Sequence, residues 1–160
     1  MESPVPPIHG VAEIVLSVKN IATMREFYTR VLGFPLHSES SHPPDDSDDV
    51  SGDPTICFLT ICELESPLGK FGHPQLLALI DYQRHVHAIR RFDGHDVRRS
   101  TLNHLAFEIP TESFDQHFER LGALGLEPVL SEFPNLNAKA IFFKDPEGNQ
   151  LELICHWNFQ

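Results

Sequence analysis

The sequence predicts an α+β fold of two βαβββ modules forming a curved, mostly antiparallel sheet with a concave cavity. Three observations lead there. A short alternating segment, Glu13-Ile-Val-Leu-Ser-Val18, is matched later by His104-Leu-Ala-Phe-Glu-Ile109. An amphipathic helical pattern follows each of them. Each half then closes on an apolar strand, Leu77-Ala-Leu-Ile80 and Leu151-Glu-Leu-Ile154.

The first module spans 8–81. Its opening strand, over 11–18, places Ile14, Leu16 and Val18 on one face and Glu13, Val15 and Ser17 on the other. Asn20 is the expected N-cap of a helix over 21–32, since its side-chain oxygen can accept from a free first-turn amide. Met24, Phe27, Tyr28, Val31 and Leu32 recur at three- and four-residue intervals and form the buried stripe. Gly33 stops the helix. Strands are expected over 34–38, 55–62 and 76–81, the last two separated by a turn region over 67–72.

The second module, 101–157, repeats the order. Its first strand, 102–109, sets Leu105, Phe107 and Ile109 against His104, Ala106 and Glu108. A helix over 111–121 offers Phe114, Phe118 and Leu121 to the core. Strands over 126–131 and 138–144 lead to Asp145-Pro-Glu-Gly148, a turn with proline at its second position. The closing strand covers 150–156.

Two stretches interrupt this repeat. The segment 39–54 carries Glu39, Asp45, Asp46, Asp48, Asp49 and Asp53 among prolines and serines, and reads as an exposed, mobile loop. It lacks the regular alternation and closing glutamate of a helix–loop–helix calcium site. The segment 82–100 holds Arg84, Arg90, Arg91, Arg98 and Arg99 with His85, His87 and His95. It reads as a linker, with contact to an anionic substrate as the alternative.

With 160 residues, 41% of them hydrophobic, the chain can bury one core or two small halves. The net charge of −11 argues against a nucleic-acid surface. Three cysteines in no paired pattern fit a reducing, cytoplasmic setting. No long apolar run points to a signal peptide or a membrane helix.

Glu152 stands between Leu151 and Leu153 in an apolar strand. An isolated carboxylate is costly to bury, so its face must be wet, paired with a cation or liganded. His104 has the same alternation. Imidazole and carboxylate together suit a divalent metal, and a hydrogen-bonded pair in a metal-free cleft is the alternative. His9 is expected in a loop, His117 on a helix surface, and His156 on the same strand face as Glu152. Cys57, Cys62 and Cys155 read as small strand residues.

Glu13–Val18, Arg25-Glu-Phe-Tyr-Thr-Arg-Val-Leu-Gly-Phe34, Leu102–Ile109 and Phe143-Lys-Asp-Pro-Glu-Gly-Asn-Gln-Leu-Glu-Leu153 together resemble the vicinal oxygen chelate superfamily. That superfamily includes glyoxalase I, bleomycin- and fosfomycin-resistance proteins, methylmalonyl-CoA epimerase and extradiol dioxygenases. The resemblance implies metal ligands on the first and last strands of each module. By position these fall on Glu13, where histidine is common, on Ala78, which cannot bind metal, and on His104 and Glu152, which match. A Glu13–His104–Glu152 set implies Mn2+, Mg2+ or Fe2+ ahead of Zn2+ or Ni2+. Glu13 would act as ligand or general base.

The resemblance also implies a homodimer and a small-molecule substrate, possibly anionic, whose two adjacent oxygens chelate the metal as an enediolate or catecholate forms. Extradiol enzymes resemble one another in a histidine just before the closing strand of a module. Gln75 holds that place here, leaving His73 as the catalytic candidate if the chain bends at Pro74. The rival reading is a non-catalytic small-molecule-binding protein of the bleomycin-resistance type. A third is an interaction protein whose cleft is incidental.

Overall fold

The computed structural model describes residues 10–63, 74–89, 91–92, 94, 96 and 98–157. The chain divides into two compact units, Met1–Gly94 and His95–Gln160. His9, His73, His95 and the expected turn over 67–72 lie outside the described residues.

The first unit contains β1 (Glu13–Val18), α1 (Ile21–Val31), β2 (Leu36–Ser40), β3 (Ile56–Cys62) and β4 (Gln75–Asp81). Its sheet has the order β1-β4-β3-β2, with β1 parallel to β4 and the other pairings antiparallel. Asn20 caps α1, its side chain accepting from the Thr23 amide at 2.9 Å. The helix buries Ile21, Met24, Phe27, Tyr28 and Val31 and packs on β3 and β4. Leu32 is only half-buried. Gly33 leaves the helix at φ +74°, the left-handed region that a side chain disfavours.

β2 begins two residues later than the sequence pattern predicts. Phe34 is held against the helix end instead, its amide donating to Tyr28 O at 3.2 Å and its ring stacking on Tyr28. Glu39 therefore belongs to β2, opposite Cys57, and pairs with Arg25. The acidic loop that follows is tied down. Arg84 donates to Asp49 Oδ2 at 2.8 Å and to Ser51 Oγ at 3.0 Å, while Val86 N–H reaches His42 O at 2.9 Å. Sequence reasoning took this loop as mobile and Arg84 as a linker cation. It could not see that the turn after β4 returns the arginine to the aspartates.

The second unit contains β5 (Leu105–Glu108), a 3-10 turn (Thr111–Ser113), α2 (Phe114–Ala123), β6 (Val129–Phe133), a further 3-10 turn (Pro134–Leu136), β7 (Ala138–Lys144) and β8 (Gln150–His156). Its sheet repeats the first: order β5-β8-β7-β6, with β5 parallel to β8. β6 begins three residues after the expected start, because Glu127 takes φ +47° and Pro128 offers no amide hydrogen. Phe114 and Leu121 are buried, whereas Phe118 is half-exposed. His117 is half-buried rather than on the surface, and that burial lowers its pKa.

Candidate functional site

The two modules align residue for residue at their inner strand pairs. Val15 lies opposite Ala78 across β1 and β4, and Ala106 opposite Glu152 across β5 and β8. The registers make Glu152 the counterpart of Ala78, and His104, just ahead of β5, the counterpart of Glu13. Same scaffold, different chemistry.

In the second unit His104 and Glu152 come together. His104 Nε2 stands 3.0 Å from Glu152 Oε2. Glu152 is 4% exposed, as a carboxylate between two leucines must be when its face is closed by a partner. Cross-strand pairing places Phe142 beside Glu152, and its ring meets the His104 ring edge-on with centroids 5.8 Å apart. This fixes the imidazole from one side. From the other, Asn103 Oδ1 lies 2.7 Å from His104 Nδ1.

Those contacts constrain the protons on the ring. An amide oxygen only accepts, so Nδ1 must carry the hydrogen that it donates to Asn103. In neutral imidazole that leaves a lone pair on Nε2, facing a carboxylate oxygen. Two acceptors do not attract each other at 3.0 Å. Either a second proton or a cation is required between them. Two donors each about 2.1 Å from one ion, at right angles, stand about 3.0 Å apart. A ring N–H given to a carbonyl is also the usual setting of a metal-ligating histidine, because it fixes tautomer and orientation. The residues therefore fit a divalent ion.

A cavity of about 150 Å³ adjoins His104, lined by Asn103, Lys144, Asn149 and Gln150 among others. The turn after β7 shapes its wall. Asp145 is 5% exposed and accepts from the amides of Glu147 and Asn149 and from Asn149 Nδ2, at 3.0, 2.9 and 2.7 Å. Gly148 takes φ +89° there.

Among the described residues of the first unit, the equivalent positions hold no such pair. Ala78 is fully buried between Val15 and Phe58. Glu13 is exposed on β1, and its carboxylate has no hydrogen bond or ion pair among the described residues. Gln75, at the place of the dioxygenase histidine, is used structurally: its Nε2 donates to Val11 O at 3.1 Å, tying β4 to the approach of β1. His156 ends β8 on the Glu152 face. No group of three or more histidine, cysteine, aspartate or glutamate side chains arranged to hold a metal occurs among the described residues. Sequence reasoning missed Asn103, whose only signal was its place immediately before a candidate ligand.

The description of the Glyoxalase/Bleomycin resistance protein/Dioxygenase superfamily matches residues 10–153. The fosfomycin resistance protein FosX of Listeria monocytogenes serovar 1/2a is 33% identical over 63 residues, 38% of this chain and 47% of FosX. The chain thus spans about half the length of this curated relative. Among solved structures, FosX from Listeria monocytogenes is similar with a TM-score of 0.61 and 21% identity, over 93% of this chain and 94% of that one. Lactoylglutathione lyase from Agrobacterium tumefaciens has the same score and identity over 96% and 100%. A FosX variant at 0.61 and 22% identity, over 94% of each chain, was solved with Mn(II) and 1S,2S-dihydroxypropylphosphonic acid.

Proposed function

This chain belongs to the Glyoxalase/Bleomycin resistance protein/Dioxygenase superfamily, and on that premise we propose that it is a divalent-metal-dependent enzyme acting on a small substrate with vicinal oxygens. One observation carries the reading. His104 Nε2 stands 3.0 Å from the buried Glu152 Oε2 while Nδ1 lies 2.7 Å from Asn103 Oδ1. His104 and Glu152, both in the second unit, are the ligands. A bound ion supplies Lewis acidity to the substrate's two adjacent oxygens.

The remaining work belongs to the chain. Asn103 holds the imidazole in one tautomer. Phe142 keeps water from one side of it. Lys144, at the small cavity, is the cation available to an anionic substrate group. Imidazole with carboxylates favours Mn2+, Mg2+ or Fe2+, and the Mn(II) in FosX supports the first of these. A homodimer completes this reading.

The test is Mn2+ titration of chelator-stripped protein, followed by calorimetry and electron paramagnetic resonance. The native chain should bind one ion per chain, and His104→Ala/Glu152→Ala should bind none. Asn103→Leu should weaken binding about 10- to 100-fold. Equal, negligible binding in all three rejects the metal reading. Loaded protein would then be assayed with fosfomycin and with lactoylglutathione. The second reading, a non-catalytic binding protein, draws on Ala78 at the register position equivalent to Glu152. Stoichiometric ligand binding without metal or turnover would favour it.

A further inference from the structure

Two irregular segments of the first unit meet at three imidazoles. His42 belongs to the acidic loop, and His85 and His87 to the stretch that follows β4. The His85 ring is 4% exposed, with its centroid 5.6 Å from that of His42 and 5.5 Å from that of His87. The other two are exposed. Within this cluster the segments share a backbone hydrogen bond, Val86 N–H to His42 O at 2.9 Å.

The contacts of His85 suit only its uncharged form. The His87 amide donates to Nδ1 at 3.1 Å, which leaves the ring's single proton on Nε2. A second proton would sit on Nδ1 and point at the amide hydrogen of His87. The new charge would also lie beside two further ionisable imidazoles, His42 from the loop and His87 from its own segment. Asp81, at the end of β4, favours the charged ring, but burial and the two histidines outweigh it. Its Oδ1 already accepts from the amides of Gln83 and Arg84, at 2.8 and 3.1 Å. The Arg84 side chain is turned to Asp49, and Glu13 lines the same cavity from β1. His85 therefore holds a proton less readily in the closed cluster than in an open one, so acid favours opening.

We propose that the three imidazoles form an acid-released latch, in which uptake of a proton by His85 parts the 85–87 stretch from His42. The parting is local. Thr55 N–H still donates to Ser40 O. Arg84 still holds Asp49, whose carboxyl, at about 2, stays ionised in acid that charges a histidine. One tie of the acidic loop is thus released while the others stay closed. The latch rests neither on a metal ion at His104 and Glu152 nor on any ligand of the first unit.

The experiment is amide hydrogen exchange by NMR on the chelator-stripped full chain at pH 7.5 and 5.0. Corrected for intrinsic exchange, the protection of the Val86 and His87 amides should fall about fivefold or more in acid. Protection at Thr55 and along the β3–β4 ladder should hold, and the Arg84 Nε–H signal should persist. His85→Asn keeps an acceptor for the His87 amide without titrating, and should abolish the fall. His42→Gln, at an exposed position where folding is not at stake, should reduce it by removing one neighbouring charge. Unchanged Val86 protection at pH 5.0, an equal loss along the β3–β4 ladder, or the same fall in His85→Asn or His42→Gln would each overturn the proposal.

Discussion

Burial acts on single residues of this protein in opposite chemical directions. The Cys57 thiol, fully buried in β3, is pushed up to about 11, which keeps it protonated and inert, whereas Cys62 at the strand's end is exposed. His85 is pushed the other way, toward its neutral form. Its folded pKa lies below the ordinary 6.5, so the unfolded chain binds the extra proton. Its contribution to stability is full above about pH 6.5 and is lost as pH falls through the depressed folded value. Asp81, at the end of β4, opposes the shift only in part. Urea unfolding between pH 8 and 5 should show this loss, at most about 1.4 kcal/mol per pH unit. His85→Asn, which keeps an acceptor for the His87 amide, should flatten that slope. The same slope in both proteins would remove His85 from the account.

At the scale of elements, the β7–β8 hairpin is the part on which the candidate site depends most. Asp145 supplies three hydrogen bonds from a nearly buried carboxylate and so fixes the turn that enters the strand carrying Glu152. Asp145→Ala leaves those donors unsatisfied and should cost about 2–4 kcal/mol by urea unfolding. It should also weaken Mn2+ binding, because Gly148 and Asn149 line the cavity beside His104. A loss below about 0.5 kcal/mol would mean that the turn holds without its aspartate. The sequence showed this turn plainly, since Asp-Pro-x-Gly encodes it locally. β7 and β8 were legible to the residue for the same reason: alternation sits between clear stops. β2, β5 and β6 were misplaced by two or three residues, since a strand's end depends on where its partner's amides stop. Phe34, Glu127 and Pro128 diverted the chain there.

For the whole chain, ligand linkage gives the simplest readout. An ion that binds only the folded state at about 100 times its Kd adds about 2.7 kcal/mol. For about 150 residues or more, this corresponds to roughly 5–10 °C in unfolding temperature. Mn2+ should raise the native chain by that amount and leave His104→Ala/Glu152→Ala unmoved. An equal shift in both would place the ion elsewhere, with the acidic loop then the place to look. That loop is less available than its composition suggested, because Arg84 already engages Asp49, whose carboxyl it and Ser51 hold at about 2. No helix among the described residues is long and apolar enough to cross a membrane.

The sequence by itself determined the repeat, the helix stripes, the β7–β8 hairpin and the strand positions at which chemistry could lie. These follow from short-range periodicity, because the alternation of a strand and the 3.6-residue turn of a helix are written in neighbouring residues. Only the tertiary structure decided that Asn103, His104, Phe142 and Glu152 meet, and that His104 brings Nε2 within 3.0 Å of Glu152 Oε2. It also decided that Arg84 restrains the acidic loop, and that His42 joins His85 and His87. Those outcomes depend on register and turn closure between residues distant in sequence. A hydrogen bond's direction depends on tenths of an ångström that no local pattern carries.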